Sequence, residues 1–177
     1  MNYSKWKIEE CPTDKLKLFA DAGYPTLLAA MLAVRGLGSA EEAKSFLDGG
    51  AELLCDPLLM KDMDKAVSRI RHALSMRETV AVYGDYDVDG ITSTCLLTDW
   101  LRGRGLECYP YIPDRIGEGY GLNSAAIDTL HRKGVSLIIS VDCGITAAVE
   151  AEHAKKVGVD LIITDTTSAA SRRYPTP

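Results

Sequence analysis

The chain has 177 residues, 46% of them hydrophobic and 25% charged, with a formal net charge of −5. That is enough apolar material for one medium domain with a small accessory unit, and the acidic balance excludes a broadly basic nucleic-acid surface while leaving room for a local basic groove. No apolar run approaches the length of a membrane span, and the opening Met1-Asn-Tyr-Ser-Lys-Trp-Lys7 lacks the apolar stretch of a signal peptide, so a cytoplasmic protein is expected.

Residues 1–58 read as a helical N-terminal extension. Apolar residues at helical spacing predict a helix from Asp14 to Ala22, ended by Gly23. Pro25 opens a second helix, Thr26 to Val34, and Gly36 stops it. Ser39 with Glu42 three residues on forms a capping box for a third helix, which runs to Asp48. The segment Cys55-Asp-Pro-Leu-Leu-Met60 is expected to be a packed linker, and Lys61 to Met76 returns to helical spacing, with Met63, Ala66, Ile70 and Leu74 on one face.

From Thr79 the pattern alternates. Strands are expected at 79–84, 106–112, 136–141 and 159–164, and helices at 91–103, 123–133 and 145–157. Strands separated by helices of this length imply right-handed crossovers and a parallel sheet, hence an α/β fold. The five cysteines include no C-x-x-C pair, and Cys95, Cys108 and Cys143 fall in segments that read as core. Trp6, Trp100 and most tyrosines are also assigned to the core. His72, His131 and His153 each lie in a predicted helix and read as surface or structural residues.

The chemistry concentrates at strand ends. Asp85, Asp87 and Asp89 alternate just past the apolar run Thr79 to Tyr83. In an extended backbone they would share one face, where three carboxylates repel one another unless a divalent cation intervenes. A hard-metal site at the carboxyl end of a parallel strand is therefore expected. The same Asp-x-Asp-x-Asp-Gly pattern opens a calcium-binding EF-hand loop, but that loop needs Glu six positions after its Gly, and Leu96 stands there. A solvated acidic turn without metal is the simpler alternative. Two further apolar runs end in acids, Asp142 and Asp165. A single such acid is often a helix N-cap, whereas acids at three neighbouring strand ends favour convergence on a cation pair.

Between the second strand and its helix lies Tyr111-Ile-Pro-Asp-Arg-Ile-Gly-Glu-Gly-Tyr-Gly-Leu-Asn123, a glycine-punctuated loop near the same strand ends. Arg115 is a candidate phosphate contact, or else an ion-pair partner of Glu118 that orders the loop. Asn123 reads as an N-cap. Thr92, Ser93 and Thr94 open the predicted helix 91–103 and either bind phosphate or serve as ordinary caps. Tyr83 and Tyr86 flank the acids, so one of them is positioned to shape the pocket.

Taken together, Tyr83-Gly-Asp-Tyr-Asp-Val-Asp-Gly-Ile-Thr-Ser93, Pro113-Asp-Arg-Ile-Gly-Glu-Gly-Tyr-Gly-Leu-Asn123 and Val141-Asp-Cys-Gly-Ile-Thr146 resemble the DHH phosphoesterase superfamily. Within it they look most like the RecJ family of single-stranded-DNA-specific 5′-to-3′ exonucleases of DNA repair and recombination. Glu41-Glu-Ala-Lys-Ser-Phe-Leu47 and Asp56-Pro-Leu-Leu-Met-Lys-Asp-Met-Asp-Lys-Ala66 extend the likeness to the helical part, so it runs from about residue 5 to 165. The resemblance implies two-metal phosphodiester hydrolysis with Mn2+ or Mg2+, single-stranded DNA as partner, and Asp87, Asp89 and Asp142 as metal ligands. Asp85 would be a ligand or support one, and Asp165 would join the set.

One departure stands out. The family's Asp-His-His motif is here Asp165-Thr166-Thr167, and the tail 166–177 resembles nothing expected. With suitably chosen third bases, one inserted base after the Asp165 codon restores Asp-His-His-Glu-Cys, so a one-base deletion would explain the change. The expectation is a truncated phosphoesterase domain over 59–165 followed by a disordered tail, with little or no activity of its own. The alternatives are a smaller DHH phosphodiesterase for oligonucleotides or cyclic dinucleotides, and a non-catalytic metal- or nucleotide-binding α/β module.

Overall fold

The structure, a computed structural model, describes residues 10–166. Trp6 and the tail beyond Thr166 lie outside the described residues. The chain divides into two compact units, with the boundary between Leu59 and Met60.

The first unit is helical: α1 (Thr13–Asp21), α2 (Thr26–Val34) and α3 (Ala40–Asp48), followed by 3-10 turns at Ala51–Leu53 and Pro57–Leu59. Its core is Phe19, Ala29, Leu32, Ala33 and Ala43. Ser39 caps α3 by accepting from the Glu42 amide at 3.1 Å. The Glu42 carboxylate reaches back to the Gly38 amide at 2.6 Å, one residue before the position a standard capping box would use. In the segment 55–60, Leu58, Leu59 and Met60 are exposed.

The second unit begins with α4 (Met63–Met76) and continues β1 (Thr79–Tyr83), α5 (Val88–Arg102), β2 (Glu107–Tyr111), α6 (Ser124–Arg132), β3 (Val135–Val141), α7 (Ala148–Val157) and β4 (Asp160–Thr164). All strand pairs are parallel, in the order β2-β1-β3-β4. The expected parallel α/β sheet is therefore present. Strand periodicity divides the core. Val80, Val82, Leu137 and Ile139 face α4 and α5 through Ala73 and Leu101. Ala81, Tyr83 and Ile138 face α6 and α7 through Ala126, Ile127, Leu130 and Ala154. The amino ends of the strands are tied by Glu78, which accepts from Arg69 at 2.7 Å and from the Ser136 hydroxyl at 2.5 Å. Arg69 also reaches Asp160 on β4.

From β1 the chain passes through α5 to β2 on one side, then returns through α6 to β3 on the other. The carboxyl ends of β1 and β3 thus flank a topological switch point, where open α/β sheets leave a crevice. All four strand positions match the sequence reading to within a residue or two.

Three side-chain assignments need correction. Helix α5 buries Gly90, Thr94, Thr98 and Leu101. Cys95 and Trp100 lie off that stripe and are exposed. Trp100 instead carries Arg104 at 3.5 Å over its ring. Among the tyrosines, Tyr83 is fully buried while Tyr120 is exposed. The histidines behave as read, His153 pairing with Asp128 across α6 and α7 at 2.7 Å.

Candidate functional site

The acids after β1 do not continue the strand, as an extended reading requires. The last ladder-like bond is from the Gly84 amide to the Tyr111 carbonyl at 2.9 Å, and the chain then turns. Asp85 is buried at 3% exposure and accepts from the Tyr86 amide at 2.6 Å. Asp87 is the N-cap of α5 and accepts from the Gly90 amide at 2.9 Å. Asp89 lies in the first helical turn and is exposed. An acidic cap and an acidic first turn suit a helix N-terminus, which explains why α5 starts at Val88 rather than at 91.

Two glycines make this elbow possible. A Cβ at Gly90 would lie 2.6 Å from both the amide nitrogen and the carbonyl oxygen of Asp85, so the first turn of α5 rests directly on the Asp85 backbone. A Cβ at Gly84 would lie 2.0 Å from the Thr94 hydroxyl oxygen, which fills that side of the strand end.

After β3, Asp142 adopts a left-handed φ of 57°. This conformation is costly for most residues and tolerable for Asp. The turn is held by the buried Ser140 hydroxyl, which donates to the Cys143 carbonyl at 2.9 Å. Cys143 itself is buried, and its thiol points at the Tyr83 carbonyl across the β1–β3 gap. After β4, Asp165 accepts from the Ile145 amide at 3.0 Å, and the Thr166 hydroxyl donates to Asp142 at 2.8 Å.

Electrostatics links these strand ends. Burial pushes the Asp85 carboxyl up, and the charges of Asp87 and Asp142 push it further, against the Tyr86 amide and the Arg115 guanidinium. The Cys143 thiol is pushed up to about 12 by burial and by the charges of Asp85, Asp165 and Asp142. The charges of Asp87 and Asp142 thus act on Asp85, and those of Asp85, Asp142 and Asp165 act together on the Cys143 thiol between them. Among the described residues none of Asp85, Asp87, Asp89 and Asp142 forms an ion pair. Nor, among those residues, are three or more His, Cys, Asp or Glu side chains already gathered into a cation cage. The donor set is nonetheless all carboxylate, and its repulsion is of the kind a hard divalent cation relieves.

The loop over this crevice carries Arg115, whose guanidinium lies 5.1 Å over the Tyr86 ring. Tyr86 meets Tyr120 edge to face at 6.2 Å. Among the described residues no Arg115–Glu118 ion pair forms. Glu118 instead accepts from the Tyr111 hydroxyl at 2.5 Å, the Asp114 amide at 2.8 Å and the Asn123 side chain at 3.5 Å. These contacts hold its carboxyl below the usual range, while Tyr111 is pushed up to about 12 by burial and by Glu118. Asn123 caps α6 as read, and also donates to the Tyr83 hydroxyl at 3.2 Å. Sequence reasoning gave Glu118 no role beyond a partner for Arg115. The tyrosine at the end of β2 was the available signal for its true partner.

Thr92 and Ser93 are not at the helix start. They lie in the second turn of α5, where amides are used within the helix, and the Thr92 hydroxyl donates to the Val88 carbonyl at 2.7 Å. The expectation that they open the helix toward a phosphate is corrected by the earlier cap at Asp87.

The class is that of a four-stranded parallel α/β sheet with acids at the carboxyl ends of β1, β3 and β4. The chain belongs to the DHH family: it matches the "DHH family, N-terminal domain" over residues 79–172, more than half its length. It is 43% identical over 162 residues to the single-stranded-DNA-specific exonuclease RecJ of Bacillus subtilis (strain 168), covering 91% of this chain and 21% of that protein. It is 34% identical over 145 residues to RecJ of Escherichia coli (strain K12), covering 81% and 24%. Among solved structures it resembles exonuclease RecJ bound to manganese, with TM-score 0.60 and 33% identity over 70% of this chain and 31% of that one. It also resembles RecJ in complex with Mn2+ from Thermus thermophilus, with TM-score 0.60 and 27% identity over 94% and 22%. The chain therefore spans between a fifth and a quarter of the length of the RecJ sequences from Bacillus subtilis and Escherichia coli. Among the described residues no helix is long and apolar enough to cross a membrane.

Proposed function

We propose that this chain is the metal-site portion of a RecJ-type exonuclease, which removes nucleotides from the 5′ end of single-stranded DNA by divalent-cation-assisted phosphodiester hydrolysis in the cytoplasm. The observation that carries this reading is the placement of Asp85, Asp87 and Asp142 beside the β1/β3 switch point, where the charges of the last two act on Asp85, with Asp165 at the end of neighbouring β4; among the described residues none of the first three forms an ion pair. Asp85, Asp87, Asp89 and Asp142 are the residues we assign to catalysis and, with Asp165, to holding Mn2+ or Mg2+. Bound there, the cations would supply an activated water and stabilise charge on the phosphate oxygens.

The chain's own residues supply the rest. The buried Asp85 anchors the elbow. Asp87 holds the helix start, accepting from the Gly90 amide. Asp142, set in a left-handed turn after β3, adds its charge to that of Asp87 on Asp85. Arg115, beside Tyr86, is the cation available to a terminal phosphate. Thr92 and Ser93 line the next turn and assist only if α5 frays.

Thr166 and Thr167 stand where the family pattern has two imidazoles, and Thr166 already occupies Asp142. That contact favours, as a second reading, a chain that binds cations without hydrolysis. The test compares Mn2+-dependent release of nucleotides from a 5′-labelled single-stranded oligonucleotide by this chain and by a variant carrying Thr166→His and Thr167→His. Release by the variant, lost on adding Asp87→Ala, supports the exonuclease reading. Cleavage of dinucleotides or cyclic dinucleotides alone would replace it with a smaller phosphodiesterase. Cation binding with no cleavage of any of these would leave only a binding module.

A further inference from the structure

The loop 112–123 contains no helix or strand, yet it carries the exposed Arg115 at a defined place beside the acids. Two of its carboxylates do the fixing, at different ranges. Asp114 acts locally, accepting from the Ile116 and Gly117 amides at 3.0 and 2.6 Å and so forming the turn in which Arg115 sits. Glu118 acts across elements. One oxygen takes the Tyr111 hydroxyl at the end of β2 and the Asn123 side chain at the cap of α6, and the other takes the Asp114 amide. Asn123 in turn donates to Tyr83 at the end of β1, and Tyr83 donates to the Gly121 carbonyl at 2.9 Å. The Tyr83 and Tyr111 rings stack with centroids 5.1 Å apart. The loop is thereby tied to β1, β2 and α6 through one carboxylate and its partners.

We propose that Glu118 is a positioning residue, which fixes the 112–123 loop so that the Arg115 guanidinium stands over Tyr86, ready for a phosphate at the end of a DNA strand. The inference rests on the phosphodiester reading above for its ligand but not for its geometry. Without Glu118, the Asp114 amide, the Tyr111 hydroxyl and the Asn123 side chain lose their common acceptor, and the Arg115 turn, still closed locally by Asp114, loses its tie to β2 and α6 and keeps only a cation–π contact to Tyr86, which is weak when exposed.

Two measurements on the 177-residue chain test this. The first is the Arg115 Nε–H resonance, assigned by its disappearance in Arg115→Lys and displaced from the free-arginine position by the Tyr86 ring. In Glu118→Ala it should move to the free position, while the Gly90 amide, bonded to Asp87, stays in place. The second is affinity for the 5′-phosphorylated dinucleotide pTpT in Mg2+. Glu118→Ala should weaken it about tenfold, the scale of one charge-assisted contact, and Arg115→Ala should do the same. The double variant should lose no more than either single one. Glu118→Gln keeps an acceptor for Tyr111 and should recover part of the affinity, and Tyr111→Phe, which removes one hydroxyl only, should reproduce a smaller version of the Glu118→Ala shift.

An unmoved Arg115 resonance in Glu118→Ala overturns the proposal, as does a strictly additive loss in the double variant. If the chain does not bind pTpT at all, the reading of the ligand fails, and the resonance alone decides the role of Glu118.

Discussion

Replacing Gly90 by Ala adds one methyl group where the structure has no room for it. The new Cβ would sit 2.6 Å from the Asp85 nitrogen and oxygen and 2.8 Å from its Cα. Ordinary carbon contacts begin at about 3.5 Å, so the elbow must open by roughly 0.9 Å. Because the opposing atoms are backbone, no rotamer change relieves the clash. Overpacking costs about 1–3 kcal/mol, and the upper end applies here. At roughly 4 °C per kcal/mol for a unit of about a hundred residues, the melting temperature should fall by about 12 °C. Gly158→Ala is the control. Its φ is 80° but nothing lies within 4 Å of the added methyl, so only the left-handed backbone cost of about 1 kcal/mol, or roughly 4 °C, is expected. Thermal unfolding followed by circular dichroism reads both. A Gly90→Ala variant that melts at or above Gly158→Ala would refute the direct seating of α5 on Asp85.

Other consequences follow from the charges. In metal-free buffer Asp85→Asn should stabilise the chain at neutral pH. Burial raises the folded carboxyl above its unfolded value, so the ionised form is penalised at neutral pH. The gain should vanish on acidification below the carboxylate range, where the acid is neutral in both states; denaturant titrations at several pH values would show it, and a variant less stable than wild type at neutral pH would contradict it. Glu78 behaves oppositely. Burial raises its carboxyl, but the Ser136 and Arg69 contacts outweigh this and leave it lowered. Its contribution is therefore present above the unfolded carboxylate value and lost as pH falls through the folded one. Glu78→Gln should cost about 2 kcal/mol at neutral pH and little in acid, as urea unfolding at the two pH values would measure. Thr166→His with Thr167→His should tighten Mn2+ binding by adding imidazole donors, readable by calorimetric titration; unchanged affinity would mean that position 166 does not face the cation.

The order and type of every element from Thr79 onward were legible because β1, β3 and β4 are short apolar runs closed by an acid or a glycine, β2 is set off by Gly105 and Pro113, and each helix has a recognisable stop. The acids themselves were legible as a group. Their geometry was not: an alternating acidic triplet reads as extended chain, whereas Asp87 is a strong N-cap and draws Val88 into α5. That single cap also moved Thr92 and Ser93 from the helix start to its second turn. Cys95 and Trp100 were misplaced because α5 carries apolar residues on both faces, and only the close seat of Gly90 and Thr94 against β1 decides which face is buried. The role of Glu118 was hidden because its partners, Tyr111 and Asn123, come together only when β2 and the cap of α6 are in place.

The central claim is that the strand-end acids form a divalent-cation site, and calorimetric titration of the metal-free chain with Mn2+ tests it most directly. The account predicts saturable binding that raises the melting temperature, is weakened by Asp142→Asn and Asp87→Ala, and is left unchanged by replacing the exposed Asp99, more than two turns further along α5. Absence of binding both in this chain and in its Thr166→His, Thr167→His variant would contradict it.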